Sequence, residues 1–463
     1  MREVFVDRAV ELSVLEREYK SNGFRLVVVY GRRRIGKTYL LRFFTNGRDS
    51  IYFTAIESSK EILYEELSRI ISRRFNVNVL FNRIDDVLDF IRKNTSSRIV
   101  LVLDEFQYLV RADPEIPSRI QRFIDENTGV SILLIICGSA VSFFEKELLG
   151  YRAPLFGRRT ATLRLRPMKF LDIWCFYPRY NAVDALRIYS IFGGTPAYAR
   201  YVDDSKSVID NIVENVLKKG SYLYSEAIDL LRQEVRETST YSSILNAIAL
   251  GYTKVSGIAS LAGVSSKTIS KYLQLLEQLD IIERIRSLGR RGGEARVEII
   301  DPYFLFWYKY VKPNLSYLEL DIVDPVKKRI REEIDLHVAQ VLETLARREL
   351  VYDILVPRIT PLKLVEVGKW WYKGEEIDVV VRGKEKTVFI EVKWSDLDLR
   401  EADRILDKLE DKALDSKLMK PQNYYVIMAR SISGTNKPVE IQDSRVYVDL
   451  SRILEQLSPA KKK

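Results

Sequence analysis

Residues Arg25 to Arg42, RLVVVYGRRRIGKTYLLR, join an apolar strand to a helix through a loop bounded by glycines, and no other stretch constrains the fold as tightly. Leu26 to Tyr30 have the length and valine content of a strand buried on both faces of a parallel sheet. The run Gly31-Arg32-Arg33-Arg34-Ile35-Gly36-Lys37-Thr38 then fits G-x-x-x-x-G-K-[ST] at every required position. Gly31 permits a sharp exit from the strand, and Gly36 lets backbone N–H groups close on phosphate oxygens without a Cβ in the way. Lys37 offers a point charge to β- and γ-phosphates, and the Thr38 hydroxyl offers a ligand to Mg²⁺. The helix beginning there turns its positive dipole end toward the same anion.

These residues resemble the P-loop nucleoside triphosphatases. The resemblance implies an α/β core of parallel strands that binds ATP and Mg²⁺, with Arg34 and Tyr39 among the nucleotide contacts beside Gly31, Gly36, Lys37 and Thr38. Upstream, Phe5-Val6-Asp7-Arg8-Ala9-Val10-Glu11-Leu12 resembles the box that precedes the P-loop in the signal-transduction class of ATPases with numerous domains. That box usually has Gly at the place of Asp7 and Glu at the place of Ala9; Arg8 and Glu11 are kept, which brings Arg8 toward the nucleotide.

A second strand, Ile99-Val100-Leu101-Val102-Leu103, ends in Asp104 and Glu105. A carboxylate at the carboxyl end of a buried strand sits where an open α/β sheet binds its ligand. This is the Walker B pattern: Asp104 orients the metal through its water shell, and Glu105 is the general base for the attacking water. Val130 to Cys137 form a further apolar strand followed by Gly138 and Ser139. By resemblance to the additional-strand ATPases it lies between the P-loop and Walker B strands, with Ser139 at the γ-phosphate sensor position. The other reading of Ser139 is an N-cap for a helix over Val141 to Leu149. Arg158 and Arg159, past a loop, are candidates for the arginine finger that meets the transferred phosphate; as plain surface or DNA-facing charges they are equally well placed.

The 463-residue chain carries 46% hydrophobic and 30% charged residues and a net charge of +10, and no apolar run reaches the ~20 residues of a membrane helix. Two cysteines and one histidine, His337, exclude both a disulfide framework and the usual Cys/His zinc site. Catalysis therefore rests on carboxylates, lysine, arginine and a hard metal ion. The N-terminus has no signal-peptide core, so the chain is read as cytoplasmic. The basic balance favours a polyanionic partner, with a lysine-rich surface serving solubility as the alternative.

From Pro167 to about Leu231 the pattern is helical, interrupted by Phe192-Gly193-Gly194-Thr195-Pro196. In the archaeal branch of the resembled ATPases a Gly-x-Pro element in the helical lid packs its proline on adenine, which makes Pro196 a nucleotide contact; a plain helix–helix turn is the competing reading. Ser242–Leu250, Val255–Ala262 and a third helix capped by Ser265 precede two short strands around Gly289 to Gly293, the pattern of a winged helix-turn-helix. Its third helix presents Ser266, Lys267, Ser270 and Lys271 to a DNA groove, and Arg290 and Arg291 in the wing meet phosphate. Glu277, Asp280 and Glu283 lie close by, so a rigid spacer or partner dock stays open. Asp301 to Tyr308 is dense in aromatics and reads as an interdomain packing helix.

Glu332 to Leu350 form an amphipathic helix carrying Glu343, and two strands follow with Asp378 and, after a gap of twelve residues, Glu391-Val392-Lys393. The spacing resembles the PD-(D/E)XK nucleases, with Ile377 where the family has proline. The resemblance implies that Asp378 and Glu391 hold Mg²⁺, that Lys393 activates a water against a phosphodiester, and that Glu343 is an extra carboxylate ligand. Strand alternation puts Glu391 and Lys393 on one face. The fold also serves binding without cleavage, so activity is a separate question.

The expected fold class is thus α/β: a P-loop core over residues 1–166, a helical lid over 167–235, a winged helix-turn-helix over 236–310 and a nuclease-like domain over 311–463. The expected function is Mg²⁺-dependent ATP binding and hydrolysis acting on or regulated by DNA. The alternative is a nucleotide-dependent switch or scaffold that binds a protein partner and cuts nothing. A finger acting in trans implies a homo-oligomer.

Overall fold

Five parallel strands form the first sheet of the computed structural model, which describes residues 8–289, 292 and 294–461. They are β1 (Arg25–Tyr30), β2 (Ser50–Thr54), β3 (Ile99–Asp104), β4 (Ile132–Gly138) and β5 (Ala161–Arg164), in the order β2-β3-β4-β1-β5. The three inner strands, β3, β4 and β1, are the most apolar, because a strand flanked on both sides and covered on both faces has no polar surface to present. On one face Val27, Val29, Val100, Val102, Leu133 and Ile135 pack with Leu40, Leu41 and Phe44 of the helix Lys37–Thr45 and with Leu15 of the helix Ala9–Lys20. Each such side chain withdrawn from water contributes about 1.5–3 kcal/mol. As expected, β4 lies between the P-loop strand and the Asp104 strand, with Tyr30 opposite Gly138 and Leu103 opposite Ile136. The P-loop, Asp104 and Ser139 therefore gather at one sheet edge.

The chain divides into two compact units, one ending at Pro167 and the other running from Met168 onward. The second begins with helices that include Ala182–Phe192 and Tyr222–Glu234. The helices Thr238–Ala249, Val255–Leu261 and Ile269–Gln278 precede an antiparallel hairpin of β6 (Ile282–Ile285) and β7 (Arg296–Ile299). The third of these helices starts later than the sequence suggested. Ser265 does not cap it: its hydroxyl bonds Thr268 Oγ1 at 2.8 Å in the preceding turn, and Thr268 takes the N-cap position. Arg290 and Arg291 lie outside the described residues. The aromatic run forms a buried helical segment, Pro302–Val311, in which the Tyr303 hydroxyl donates to Leu223 O and Trp307 Nε1 to Tyr224 O.

The long helix starts at Asp324, not near Glu332, and runs to Leu345 before continuing as a π-helical stretch to Leu355. Pro325 sits in its first turn, where its fixed φ suits a helix start, and the charges from Lys327 to Glu333 hide the stripe of Val326 and Ile330. A six-stranded mixed sheet follows: β8 (Leu364–Tyr372), β9 (Glu375–Gly383), β10 (Lys386–Asp398), β11 (Gln422–Ser433), β12 (Val439–Gln442) and β13 (Arg445–Asp449), in the order β12-β13-β11-β10-β9-β8. The first three strands are antiparallel neighbours, and the helix Leu399–Ser416 carries the chain across to β11, parallel to β10. Among the described residues no helix is long and apolar enough to cross a membrane.

Candidate functional site

The loop after β1 is built from backbone that favours glycine. Gly36, at φ 91°, occupies the N-cap position of the helix Lys37–Thr45 with nothing near its missing side chain, and a Cβ on Gly31 would sit 2.3 Å from Leu165 O. Arg34 also holds a left-handed φ of 70°, a local strain of the kind that binding loops store. Lys37 Nζ donates to Gly31 O at 2.7 Å and Arg32 O at 2.9 Å, so the loop's own carbonyls hold the ammonium. Arg8 clamps the loop from outside. It donates to Ile35 O at 3.2 Å and Arg166 O at 2.8 Å and pairs with Glu11 at 3.1 Å. Tyr39, one turn into the helix, is exposed.

Asp104 is buried at the end of β3 and accepts three hydrogen bonds. Thr38 Oγ1 reaches its Oδ2 at 2.9 Å, the Tyr52 hydroxyl reaches the same oxygen at 2.8 Å, and Glu105 N reaches Oδ1 at 2.9 Å. A hydroxyl and a carboxylate joined at the start of the P-loop helix are hard oxygen donors of the kind Mg²⁺ takes. Burial first, then the charge of Asp104, pushes the Tyr52 phenol upward, so it stays a neutral donor. Burial likewise raises the Cys137 thiol.

Glu105 follows at a left-handed φ of 53° and turns its carboxylate toward β4. Its Oε2 accepts from Ser139 Oγ at 2.9 Å, from Ser139 N at 3.4 Å and from Gln107 Nε2. Ser139 caps nothing, since Ala140 holds the N-cap of the short helix Val141–Phe143. Sequence reasoning missed Gln107, which reads as a polar helix residue. A signal existed in Gly138: a Cβ there would meet Gln107 Oε1 at 2.2 Å.

The finger candidates are both engaged by their own chain. Arg158 forms a two-pronged pair with Asp125 at 3.1 Å, and the Arg159 guanidinium lies 5.3 Å from the Phe156 ring centre. Pro196 belongs to the second unit, where it opens the helix Pro196–Ala199. Just before it, Met168 N donates to Gly194 O at 2.7 Å, and a Cβ on Gly194 would sit 2.0 Å from Met168 O.

The second unit gathers a separate set of charges. Asp378 and Glu391 are buried on β9 and β10; Asp378 Oδ2 accepts from Val392 N at 2.9 Å. Lys393 Nζ lies 2.8 Å from Glu391 Oε1, and Lys412 Nζ lies 3.4 Å from Oε2. Burial, reinforced by the charges of Glu391 and Glu343, holds the Asp378 carboxyl well above the usual range. Glu343 is met by Lys369, a buried lysine on β8 absent from the sequence reading, at 3.1 Å; Lys369 also lies 3.6 Å from Glu376. Among the described residues no three histidine, cysteine or carboxylate groups are placed to hold a metal ion together.

The hairpin is tied to this region. Leu288 N donates to Lys369 O at 2.9 Å, Trp371 N donates to Ser287 Oγ at 2.9 Å, and Arg296 pairs with Glu376 at 3.1 Å above the Trp371 ring. Arg347 joins Glu283 at 2.9 Å and Glu298 at 3.3 Å. Glu277 is paired with Arg284. Two of the acidic residues that counted against a nucleic-acid face are thus neutralised by arginine, while Ser266, Lys267, Ser270 and Lys271 are exposed.

Against this geometry stand the relatives. Residues 5–202 match a family described as an ATPase domain predominantly from Archaea. Residues 183–306 match a domain of unknown function, and 307–405 a family described as archaeal and bacterial proteins of unknown function. The chain is 30% identical over 444 residues to the uncharacterized protein MJECL04 of Methanocaldococcus jannaschii, an alignment spanning 93% of this chain and 97% of the relative. The chain belongs to this archaeal ATPase family. A 45-residue stretch, 10% of the chain and 76% of the relative, is 44% identical to the uncharacterized ATP-binding protein MJ0423 of the same organism. Among solved structures, the Walker-type ATPase PABY2304 of Pyrococcus abyssi is similar with a TM-score of 0.50 at 20% identity, over 66% of this chain and 97% of that one, a likeness of fold. The ORC2 protein of Aeropyrum pernix, in ADPNP–ADP complexes, is similar at a TM-score of 0.44 and 14% identity over 72% of this chain and 98% of that one.

Proposed function

We propose that the protein binds ATP with Mg²⁺ at the edge of the first sheet and hydrolyses it. The observation that carries this reading is the 2.9 Å bond from Thr38 Oγ1 to Asp104 Oδ2, which joins the two motif residues that would hold the metal. When bound, Mg²⁺ neutralises charge on the phosphate oxygens. Lys37 exchanges the carbonyls of Gly31 and Arg32 for phosphate oxygens, with Gly31, Arg34, Gly36 and Tyr39 around it. Glu105 takes a proton from the attacking water as the γ-phosphorus to bridging-oxygen bond breaks and ADP leaves with its electrons. Ser139 would report the γ-phosphate to Glu105 through the hydrogen bond that joins them. Arg158 serves as a finger only by leaving Asp125, whereas Arg159 has no carboxylate to leave among its described contacts; Pro196 is the candidate adenine contact. The test is ATP turnover with Lys37→Ala and Glu105→Gln beside the wild type.

The same proposal extends to DNA as the partner of the second unit. Its support is the exposed Ser266, Lys267, Ser270 and Lys271 beside the arginine-neutralised Glu277 and Glu283. The three helices and hairpin serve as a winged helix-turn-helix, and the sheet of β8 to β13 as a PD-(D/E)XK nuclease-like domain. Asp378 and Glu391 suit Mg²⁺, which takes one or two carboxylates and completes its shell with water and substrate phosphate; Glu343, paired with Lys369, is not placed with them as a third ligand. The hairpin of β6 and β7 is ion-paired to β9 and to the π-helical stretch that continues the long helix, and Ser287 and Leu288 hydrogen-bond β8, so the hairpin and the sheet would act on DNA together. Mg²⁺-dependent cleavage that Lys393→Ala abolishes is the outcome this part of the reading expects, with DNA affinity falling steeply as salt rises.

A second reading has its own observation. Glu391 is met by Lys393 and Lys412, and Glu343 by Lys369, so lysines already compensate carboxylates that a nuclease would give to metal. In that reading the domain binds a protein partner and cuts nothing, and the protein is a nucleotide-dependent switch.

A further inference from the structure

We infer that Tyr52 is a positioning residue for the metal-holding carboxylate of the nucleotide site, an inference that rests on the ATPase reading above. Tyr52 lies on β2, outside every motif quoted above. Its neighbour two residues on, Thr54, pairs with Asp104 across the parallel ladder, while Tyr52 itself pairs with Val102. Residues two apart on a strand share a face, so Tyr52 and Asp104 are diagonal neighbours on one side of the sheet, a separation a tyrosine side chain spans. The hydroxyl ends 2.8 Å from Asp104 Oδ2, the oxygen that also accepts from Thr38 Oγ1 at 2.9 Å.

Asp104 has 1% of its surface exposed, so water cannot replace a lost donor. The Thr38 hydroxyl oxygen would also serve as a ligand to a bound metal ion. Glu105 N is fixed by the backbone and fixes only Oδ1. Tyr52 is then a side-chain donor on Oδ2 with no second task in the reaction. The ring is itself held, with the Arg42 guanidinium 5.3 Å from its centre. Tyr52→Phe keeps the ring and that contact while deleting the donor alone.

The role concerns the metal more than the nucleotide. Without the hydroxyl, the carboxylate is free to turn away from the Thr38 side, and more Mg²⁺ is needed to hold ATP. The experiment is calorimetric binding of ATP to the full chain at a series of Mg²⁺ concentrations and in excess EDTA, for wild type and Tyr52→Phe. The variant is expected to need about tenfold more Mg²⁺ for the same ATP affinity, as loss of one bond to a charged acceptor implies, with binding in EDTA unchanged. ATP turnover should recover in the variant as Mg²⁺ is raised. A variant with wild-type Mg²⁺ dependence, tighter Mg²⁺ dependence, or an equal loss in EDTA overturns the inference while leaving the ATPase reading in place. If the wild type shows no Mg²⁺-dependent ATP binding, the ATPase reading falls, and the inference with it.

Discussion

Glu105 Oε2 accepts a 2.9 Å hydrogen bond from the Ser139 hydroxyl, tying the carboxylate after β3 to the first residue past β4. Gln107 Nε2 donates to the same oxygen. The residue assigned as general base is therefore oriented from the neighbouring strand as well as from its own helix. Replacing Ser139 with Ala removes one charge-assisted donor and leaves Gln107. ATP turnover should fall about tenfold with little change in KM. Steady-state kinetics read this directly, and an unchanged kcat would remove Ser139 from the reaction.

Arg347 is nearly buried and serves two carboxylates from the hairpin, Glu283 and Glu298. Burial already holds the Glu298 carboxyl above its ordinary range, and Arg347 opposes that shift. Arg347→Ala leaves both carboxylates without this partner, and unfolding by denaturant should show a loss of about 3 kcal/mol. Adding Glu298→Gln should restore part of it, because the costly element is the uncompensated charge. Equal stability of the single and double variants would contradict this account of how the hairpin is anchored.

His337 is the chain's one histidine and is fully buried, with Nε2 2.8 Å from Ser190 O and the rings of Phe306 and Tyr310 packed edge-on. Burial lowers its pKa from 6.5 to about 4, with the charge of Lys309 acting in the same direction. The unfolded chain protonates this imidazole first, so the stability it contributes is complete above pH 6.5 and is lost as pH falls toward 4. The loss is about 1.4 kcal/mol for each pH unit between the two values. With a single imidazole to follow, NMR titration gives a clean reading: a midpoint well below 6 is expected, and one near 6.5 would show that the ring is accessible.

The nucleotide site was legible because its chemistry is local in sequence. Gly31 to Thr38 must be contiguous to wrap an anion, and Asp104 must end a buried strand. The placement of β4 between β1 and β3 followed from the resemblance that those motifs carried. Tyr52 and Lys369 were not legible. Each reads as an ordinary strand residue until strand order and register are known, and both reach their carboxylates across neighbouring elements. Gln107 escaped for a different reason: a polar residue in a short helix carries no pattern, and only the packing at Gly138 marks it. The start of the long helix at Asp324 was hidden by charges that face solvent and dilute the apolar stripe.

The most direct test of the central claim is ATP hydrolysis by Glu105→Gln, measured beside ATP binding by the same variant. The substitution keeps the size of the side chain and its capacity to bond Ser139, and it removes the base. The account predicts turnover reduced by about a hundredfold or more with ATP still bound in the presence of Mg²⁺. Turnover at the wild-type rate would contradict the assignment of Glu105, and with it the reading of this sheet edge as a catalytic site.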